Sequence, residues 1–210
     1  MDKPMPSLKE LIDRPFRYFY DDGLVELAVG TLFLAAGLAI SAWAATPSGS
    51  MWRVVGALLL VAIPMLGSVL FKRLVQRVKD RWVHPRTGYV DYDEAQPSRA
   101  RWVVIGGALA LAIAGFLLPD QLNNMALMEG ALLGLVLVTL AYRARLARFY
   151  LLAAIAALIG LAAALWLGSD LWGSAATFGA TGAVMILSGG CALRRYFIAH
   201  PEPSGRGDEA

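Results

Sequence analysis

The stretch that decides the fold is LLAAIAALIGLAAALWLG, residues 151–168. It is apolar on every face of a helix, so a helix built from it has no polar side to turn towards water. A soluble helical bundle needs one polar face on each helix, and this stretch supplies none. Because about 20 apolar residues cross a hydrocarbon layer of roughly 30 Å, the stretch is predicted to lie in a transmembrane helix.

Similar apolar segments run through most of the chain. Of its 210 residues, 58% are hydrophobic and only 17% are charged, which is outside the usual balance of a soluble domain. The segments are too long for β-barrel strands, which alternate over about 10 residues. We therefore predict an all-α membrane protein with a six-transmembrane-helix bundle over residues 24–193. The predicted spans are 24–45, 52–71, 102–119, 126–142, 149–167 and 172–193.

The basic residues are segregated around these spans. All of the 19 Lys and Arg residues except Arg53 fall before the first span, in the 72–101 loop, between the fourth and fifth spans, or after the sixth. Positively charged connections stay on the cytoplasmic side of a membrane. Both termini and the 72–101 loop are therefore predicted to be cytoplasmic.

The amino-terminal region, residues 1–23, is predicted to contain an interfacial amphipathic helix. Ser7 and Glu10 form a capping box in SLKELIDRPFRYFY, residues 7–20, and an apolar stripe follows at helical spacing. The stripe consists of Leu8, Leu11, Ile12, Phe16 and Phe19. The alternative is a flexible leader, and Pro15 is expected to bend or end the helix.

The cytoplasmic loop 72–101 is the least repetitive part of the chain. Its first third continues the helical pattern of the second span, and His84-Pro85 stops it because a residue before proline disfavours the α region. RTGYVDYD then combines a turn with alternating residues, which is typical of a strand. We expect a short hairpin or flap after the second span, and a cytoplasmic tail over 194–210.

Small residues recur every seven positions along the first span, at Gly23, Gly30, Gly37 and Ala44. Such a row lets a neighbouring helix approach closely, and tight packing explains it better than a moving helix does. Pro64 interrupts the second span and is a candidate hinge or kink.

Two carboxylates, Glu26 and Glu129, lie just inside predicted spans. An acidic side chain at a helix centre costs about 2.5–3.5 kcal/mol on insertion scales, so both are candidate functional residues. The alternative is a solvated or dipole-paired residue near a helix end. The similar contexts GLVELAVG and ALMEGALLG would also fit an inverted repeat of three spans each.

No catalytic, cofactor or metal motif is recognisable. His84 and His200 each precede a proline and have no Cys, His or carboxylate at ligand spacing. Orientation and headgroup contact account for the basic residues, so no nucleic-acid partner is expected. No cofactor or metal is predicted, and the lipid bilayer is the expected partner.

The loop sequence HPRTGYV, residues 84–90, resembles a segment of an uncharacterised family of bacterial multi-pass integral membrane proteins. Those proteins show a similar Pro-Arg-x-Gly-Tyr-Val loop between their second and third spans. They also show an Asp-Gly-x-x-Glu start to the first helix, as Asp22, Gly23 and Glu26 stand here, and an ending comparable to RRYFIAHPEP. The resemblance implies a bacterial inner-membrane protein of unknown activity, with no active site to carry over.

These patterns favour a non-enzymatic accessory or assembly protein that acts through its cytoplasmic loop. Arg86, Gly88 and Tyr89 form the candidate functional surface, where a protein partner would bind. The alternative is a small-solute or ion transporter with Glu26 and Glu129 in its pathway. A third reading, a lipid-modifying enzyme that uses Arg86 and Tyr89, lacks an evident nucleophile or base.

Overall fold

The computed structural model describes residues 19–79, 81, 102, 105–107, 109–110 and 125–200. This part of the chain is all-helical and contains no strand, in agreement with the predicted class. Its five long helices are α1 (Leu24–Ala45), α2 (Met51–Val78), α3 (Met125–Ala144), α4 (Ala147–Trp166) and α5 (Asp170–Ala199).

Several predicted features lie outside the described residues. They are the interfacial helix before residue 19, the hairpin or flap with Arg86, Gly88 and Tyr89, most of the third span, and the tail after His200.

Four of the helices, α1, α3, α4 and α5, are long and apolar enough to cross a membrane. They coincide with the first, fourth, fifth and sixth predicted spans, and α2 contributes a shorter apolar stretch, Met51–Leu60. Large apolar side chains cover the outside of the bundle: Leu151, Leu158 and Leu165 are 62–70% exposed. An exterior of this kind requires lipid around it. The chain is therefore a membrane-embedded helical protein.

Two helices continue beyond their predicted apolar limits. The second predicted span ended at residue 71, and α2 runs through Pro64 to Val78, as the helical pattern in the first third of the 72–101 loop predicted. The sixth ended at residue 193, whereas α5 continues to Ala199, so the start of the predicted tail is helical. Hydropathy marks where a helix leaves the apolar layer, but the backbone stays helical until a residue such as Pro201 disfavours it.

α1 and α5 pack antiparallel along a seam of glycines. A Cβ atom added to Gly30 would lie 2.8 Å from the carbonyl oxygen of Gly182, and one added to Gly189 would lie 2.7 Å from that of Gly23. Gly23 also has a φ of 74°, in the left-handed region that glycine adopts without strain. The row of small residues in the first span therefore serves close packing of two backbones.

A second antiparallel pair, α3 and α4, also packs through facing glycines, at fewer positions. Gly130 and Gly160 face each other, and a Cβ atom on either would come within 2.7 Å of the other's Cα atom. The apolar core lies beside this contact, where α3, α4 and α5 meet. Its buried residues are Leu137, Ala141, Ala144, Leu146, Phe149, Leu152, Ala153, Ala156 and Met185.

The bundle has two distinct ends. We call the basic end the one where α1 and α4 begin and where α2, α3 and α5 finish, and the other the opposite end. At the opposite end, short turns join α1 to α2 and α4 to α5, and Gly168 in the second turn has a φ of 53°. At the basic end, only Arg145 and Leu146 separate α3 from α4.

Candidate functional site

A buried ion pair joins Asp22, just before α1, to Lys79, just after α2. The Lys79 Nζ atom lies 2.9 Å from Asp22 Oδ2, and the two side chains are only 4% and 1% exposed. Lys79 also donates to the carbonyl oxygen of Phe19 at 2.5 Å, while Asp22 Oδ1 accepts from the backbone N–H of Leu24 at 3.0 Å. Asp22 thus accepts from the first backbone N–H of α1 and holds the end of α2 at the same time.

A second ion pair lies one turn further along α1. Arg148 Nε is 2.7 Å from Glu26 Oε1, an ion-pair contact without the geometry of a hydrogen bond. The Ser188 hydroxyl donates to Glu26 Oε2 at 2.8 Å, which brings α5 into the same cluster. Glu26 is 1% exposed, so its charge is shielded from solvent and compensated by Arg148.

Arg148 also ties α4 to the backbone just before α1. Its Nη1 atom donates to the carbonyl oxygen of Asp21 at 3.3 Å, and its Nη2 atom donates to that of Tyr20. Since residues 19–21 are helical and that helical conformation ends before Gly23, a guanidinium is a suitable cap for these carbonyls. We call Asp22, Glu26, Lys79 and Arg148 the charge cluster. It contains two anions and two cations and links α1, α2 and α4 at the basic end, and Ser188 joins α5 to it through Glu26.

Burial changes the ionisation of groups at the edge of the cluster. It lowers the pKa of the Lys79 ammonium, an effect that the neighbouring Asp22 carboxylate opposes. Burial also raises the pKa of the Tyr20 hydroxyl, and the positive charge of Arg143 acts in the opposite direction. Both shifts have desolvation as their main cause.

Glu129 lies near the opposite end in a different environment. Its Oε1 atom accepts from the Ser174 hydroxyl of α5 at 2.9 Å. Its Oε2 atom is buried and has no hydrogen-bond partner among the described residues. Asp170 is the charged neighbour within that part of the chain, and it repels the ionised carboxylate. Among the residues that the structure describes, none gives Glu129 the compensation that Arg148 gives Glu26.

The structure does not bring the two predicted carboxylates together. Their serine partners, Ser188 and Ser174, lie 14 residues apart on the same helix, which corresponds to about 21 Å along its axis. Both partners belong to α5, whereas a two-fold relation between halves would place the partner of Glu129 in the third span. The inverted repeat therefore stays a hypothesis.

Sequence reasoning missed three partners of Glu26 and Asp22. Lys79 and Arg148 counted only as charges that set orientation, and Ser188 lay unnoticed in a small-residue run. The sequence did carry a signal for them. Several acidic and basic residues lie within one turn of the predicted cytoplasmic ends of the spans, and charges at that depth need partners.

The charge cluster anchors the helices electrostatically and suggests no catalytic reaction. Across residues 19–79 and 125–200 no three His, Cys, Asp or Glu side chains are placed to hold a metal ion. The two cations of the charge cluster are each held by a carboxylate and by backbone carbonyls, so their hydrogen-bonding capacity goes largely to the fold.

The fold and this cluster define the class as an α-helical membrane protein with a buried charge cluster at one end of the bundle. No family model, curated protein sequence or solved structure matches the chain.

Proposed function

We propose that the protein is a six-span accessory or assembly protein of the bacterial inner membrane that acts through its cytoplasmic loop, without enzymatic activity. The candidate surface remains Arg86, Gly88 and Tyr89, in the loop that follows α2.

The observation that carries this proposal is the anchoring of Lys79. This residue lies at the end of α2, within the predicted 72–101 loop, and its ammonium is buried against Asp22 and the Phe19 carbonyl oxygen, with the Phe19 ring centroid 3.8 Å away. A loop that starts from a fixed point loses less conformational freedom on binding than one that starts from a mobile helix end. The charge cluster therefore favours presentation of the loop to a partner.

The positions of the end of α2 and the start of α3 support six spans. The chain leaves α2 at the basic end and enters α3 at the opposite end, because Met125 begins the helix whose last residue is Ala144 near Arg148. A third span within residues 80–124 would connect these two ends, and the apolar segment 102–119 has the composition for it.

The distribution of charge supports the orientation. Arg143, Arg145 and Arg148 cluster at the basic end, and Arg53 lies near the opposite end. By the positive-inside rule, the proposed orientation has the basic end, both termini and the loop in the cytoplasm. The proposed inner-membrane location rests on the resemblance of the loop to the bacterial family.

In-cell photo-crosslinking tests the accessory role. A photoreactive amino acid at Tyr89 should give an adduct of one defined mass, and the same probe at Trp52, near the opposite end, should not. Arg86→Ala should abolish the adduct. Lys79→Met should reduce its yield by about tenfold, because the loop loses its anchor while its own residues are unchanged. An equal adduct from Trp52, or no effect of either substitution, would contradict the proposal.

A second candidate function is transport of a small solute or ion, with Glu26 and Glu129 in the pathway. The buried Glu129 Oε2 atom favours it, because it has no hydrogen-bond partner in the part of the chain that the structure describes. Proteoliposomes with a pH-sensitive dye inside would report proton-coupled flux. Transport predicts a flux that Glu129→Gln abolishes, whereas the accessory role predicts no flux above that of empty vesicles.

A further inference from the structure

Four tryptophans lie at the opposite end of the bundle, each among the first or last three residues of its helix. They are Trp43 in α1, Trp52 in α2, Trp166 in α4 and Trp172 in α5, and we call them the tryptophan belt. Trp52 and Trp166 are 74% and 82% exposed, and Trp172 is 45% exposed. Four helices thus bring a large aromatic ring to the same end of the bundle.

Arginines mark the other end of three of these helices. Arg73 lies in α2, Arg148 in α4 and Arg194 in α5, all towards the basic end. They are 21, 18 and 22 residues from the belt tryptophan of the same helix. At 1.5 Å per residue, these separations are about 32, 27 and 33 Å. Each is close to the thickness of the hydrocarbon core of a bilayer, which is about 30 Å.

The chemistry of both ends suits a lipid boundary. A tryptophan ring has an apolar body and one N–H donor, so it is most stable between hydrocarbon and headgroups. An arginine buries its apolar stem and keeps its guanidinium at headgroup level. Arg53, at the opposite end, has its guanidinium 5.5 Å from the centroid of the Trp43 ring, which keeps this charge beside the belt.

We propose that the tryptophan belt anchors the opposite end in the glycerol and headgroup layer of a phospholipid bilayer. The second lipid boundary then lies level with Arg73, Arg148 and Arg194. The belt is thus a surface that binds a phospholipid interface, with the hydrocarbon core between the two levels. This position across the bilayer does not depend on what the cytoplasmic loop binds.

The two boundaries give the depth of the two carboxylates. Ser174, the donor to Glu129, lies two residues after Trp172 in α5, which is about 3 Å inside the belt. Ser188, the donor to Glu26, lies six residues before the arginine level of α5, which is about 9 Å inside that boundary. Both carboxylates are therefore away from the bilayer midplane, where secondary transporters bind their substrates. This depth favours the accessory role over transport.

Fluorescence quenching by brominated lipids tests the depth of the belt. The full-length chain is reconstituted in dioleoyl phosphatidylcholine vesicles, in which part of the lipid carries bromine near the glycerol end or near the methyl end of its acyl chains. Three variants each keep one tryptophan, Trp52, Trp166 or Trp172, and have phenylalanine at the other tryptophan positions. The shallow bromine should quench each of them more strongly. The expected depth is about 13–17 Å from the bilayer centre, which is half of the helix separations.

Leu158→Trp, in a chain with phenylalanine at every native tryptophan position, is the matched control. Leu158 is 62% exposed on α4 and lies eight residues, about 12 Å, from Trp166. The new tryptophan should lie within about 4 Å of the bilayer centre and be quenched more by the deep bromine. A belt tryptophan within about 8 Å of the centre would overturn the proposal, because that depth is inside the hydrocarbon core. So would belt tryptophans that neither lipid quenches, because they would then contact protein and not lipid.

Nitroxide labels make the same comparison if the tryptophan-depleted chains do not fold. Trp166→Cys and Leu158→Cys are each combined with Cys191→Ala, because Cys191 is the one cysteine of the chain. The label at position 166 should collide more often with a water-soluble nickel chelate. The label at position 158 should collide more often with oxygen, which concentrates in hydrocarbon. The same balance of collisions at both positions would contradict the proposed boundary.

Discussion

Glu26 and Glu129 have similar sequence contexts, yet they lie in opposite electrostatic environments. Glu26 has Arg148 at 2.7 Å and Ser188 at 2.8 Å, and it belongs to a cluster with equal numbers of anions and cations. Glu129 has Ser174 at 2.9 Å and Asp170 as its charged neighbour in the described chain. The depth of a carboxylate in a span therefore does not reveal its role, since the role depends on the partners that other helices bring.

The largest expected effect on stability comes from neutralising these two carboxylates one at a time. Glu26→Gln leaves Arg148 without its counter-ion and should lower the free energy of unfolding by about 3 kcal/mol. Glu129→Gln removes a charge that has no cation beside it among the described residues, and it should change that free energy by less than about 0.5 kcal/mol or increase it. Unfolding of the detergent-solubilised protein by sodium dodecyl sulfate, followed by tryptophan fluorescence, measures both.

A double substitution serves as the control for this comparison. Glu26→Gln combined with Arg148→Met removes both charges, so the loss should be smaller than the sum of the two single losses by more than about 1 kcal/mol. Additive losses would mean that the two side chains do not interact as the 2.7 Å distance indicates.

The next largest effect concerns the seam that places Glu26 beside Ser188. Gly30→Val puts side-chain atoms where the Gly182 carbonyl oxygen lies, 2.8 Å from an added Cβ atom, and should cost about 1–3 kcal/mol. Gly190→Val makes the same change on α5 at a position where no described atom lies within 4 Å of the added atom. It should cost less than about 1 kcal/mol, since valine suits a helix as well as glycine does. Equal costs measured by the same unfolding assay would mean that the seam is not tightly packed.

The smallest expected effect on stability comes from replacing the two serines that donate to these carboxylates. Ser188→Ala should cost about 0.5 kcal/mol, a usual value for a hydrogen bond between membrane helices, because Glu26 keeps Arg148. Ser174→Ala should cost about 1 kcal/mol, because Glu129 then loses its described hydrogen-bond donor. A larger loss for Ser188 than for Ser174, measured in one series of unfolding curves, would reverse the comparison.

Much of the helical architecture was predictable because hydropathy is a local property. The predicted span 24–45 coincides with α1, and 126–142 and 149–167 each differ from α3 and α4 by no more than two residues at either end. The extension of α2 beyond the second span followed from the helical pattern of the loop's first third, whereas the extension of α5 beyond residue 193 was not predicted. Composition reports where the lipid ends, while helical hydrogen bonds continue into the polar region.

The candidate site was predictable only in part. Glu26 and Glu129 were correctly selected as carboxylates that need an explanation, since charge within a span is costly. The pairing of Glu26 with Arg148 joins residues 122 positions apart, and that of Asp22 with Lys79 joins residues 57 apart. No local pattern encodes such distances, because the pairing depends on which helices become neighbours.

The sequence by itself determined the class of the protein, the location of its apolar helices and the sign of the charge at each end. All three follow from the free-energy cost of placing polar groups in hydrocarbon. That cost depends on the composition of each segment and not on the other segments. The tertiary structure was needed to show that α1 pairs with α5, that Arg148 compensates Glu26, and that no cation of the described chain does the same for Glu129. These results depend on the close approach of distant backbones at glycine contacts, and helix packing selects that approach among many arrangements of equal hydropathy.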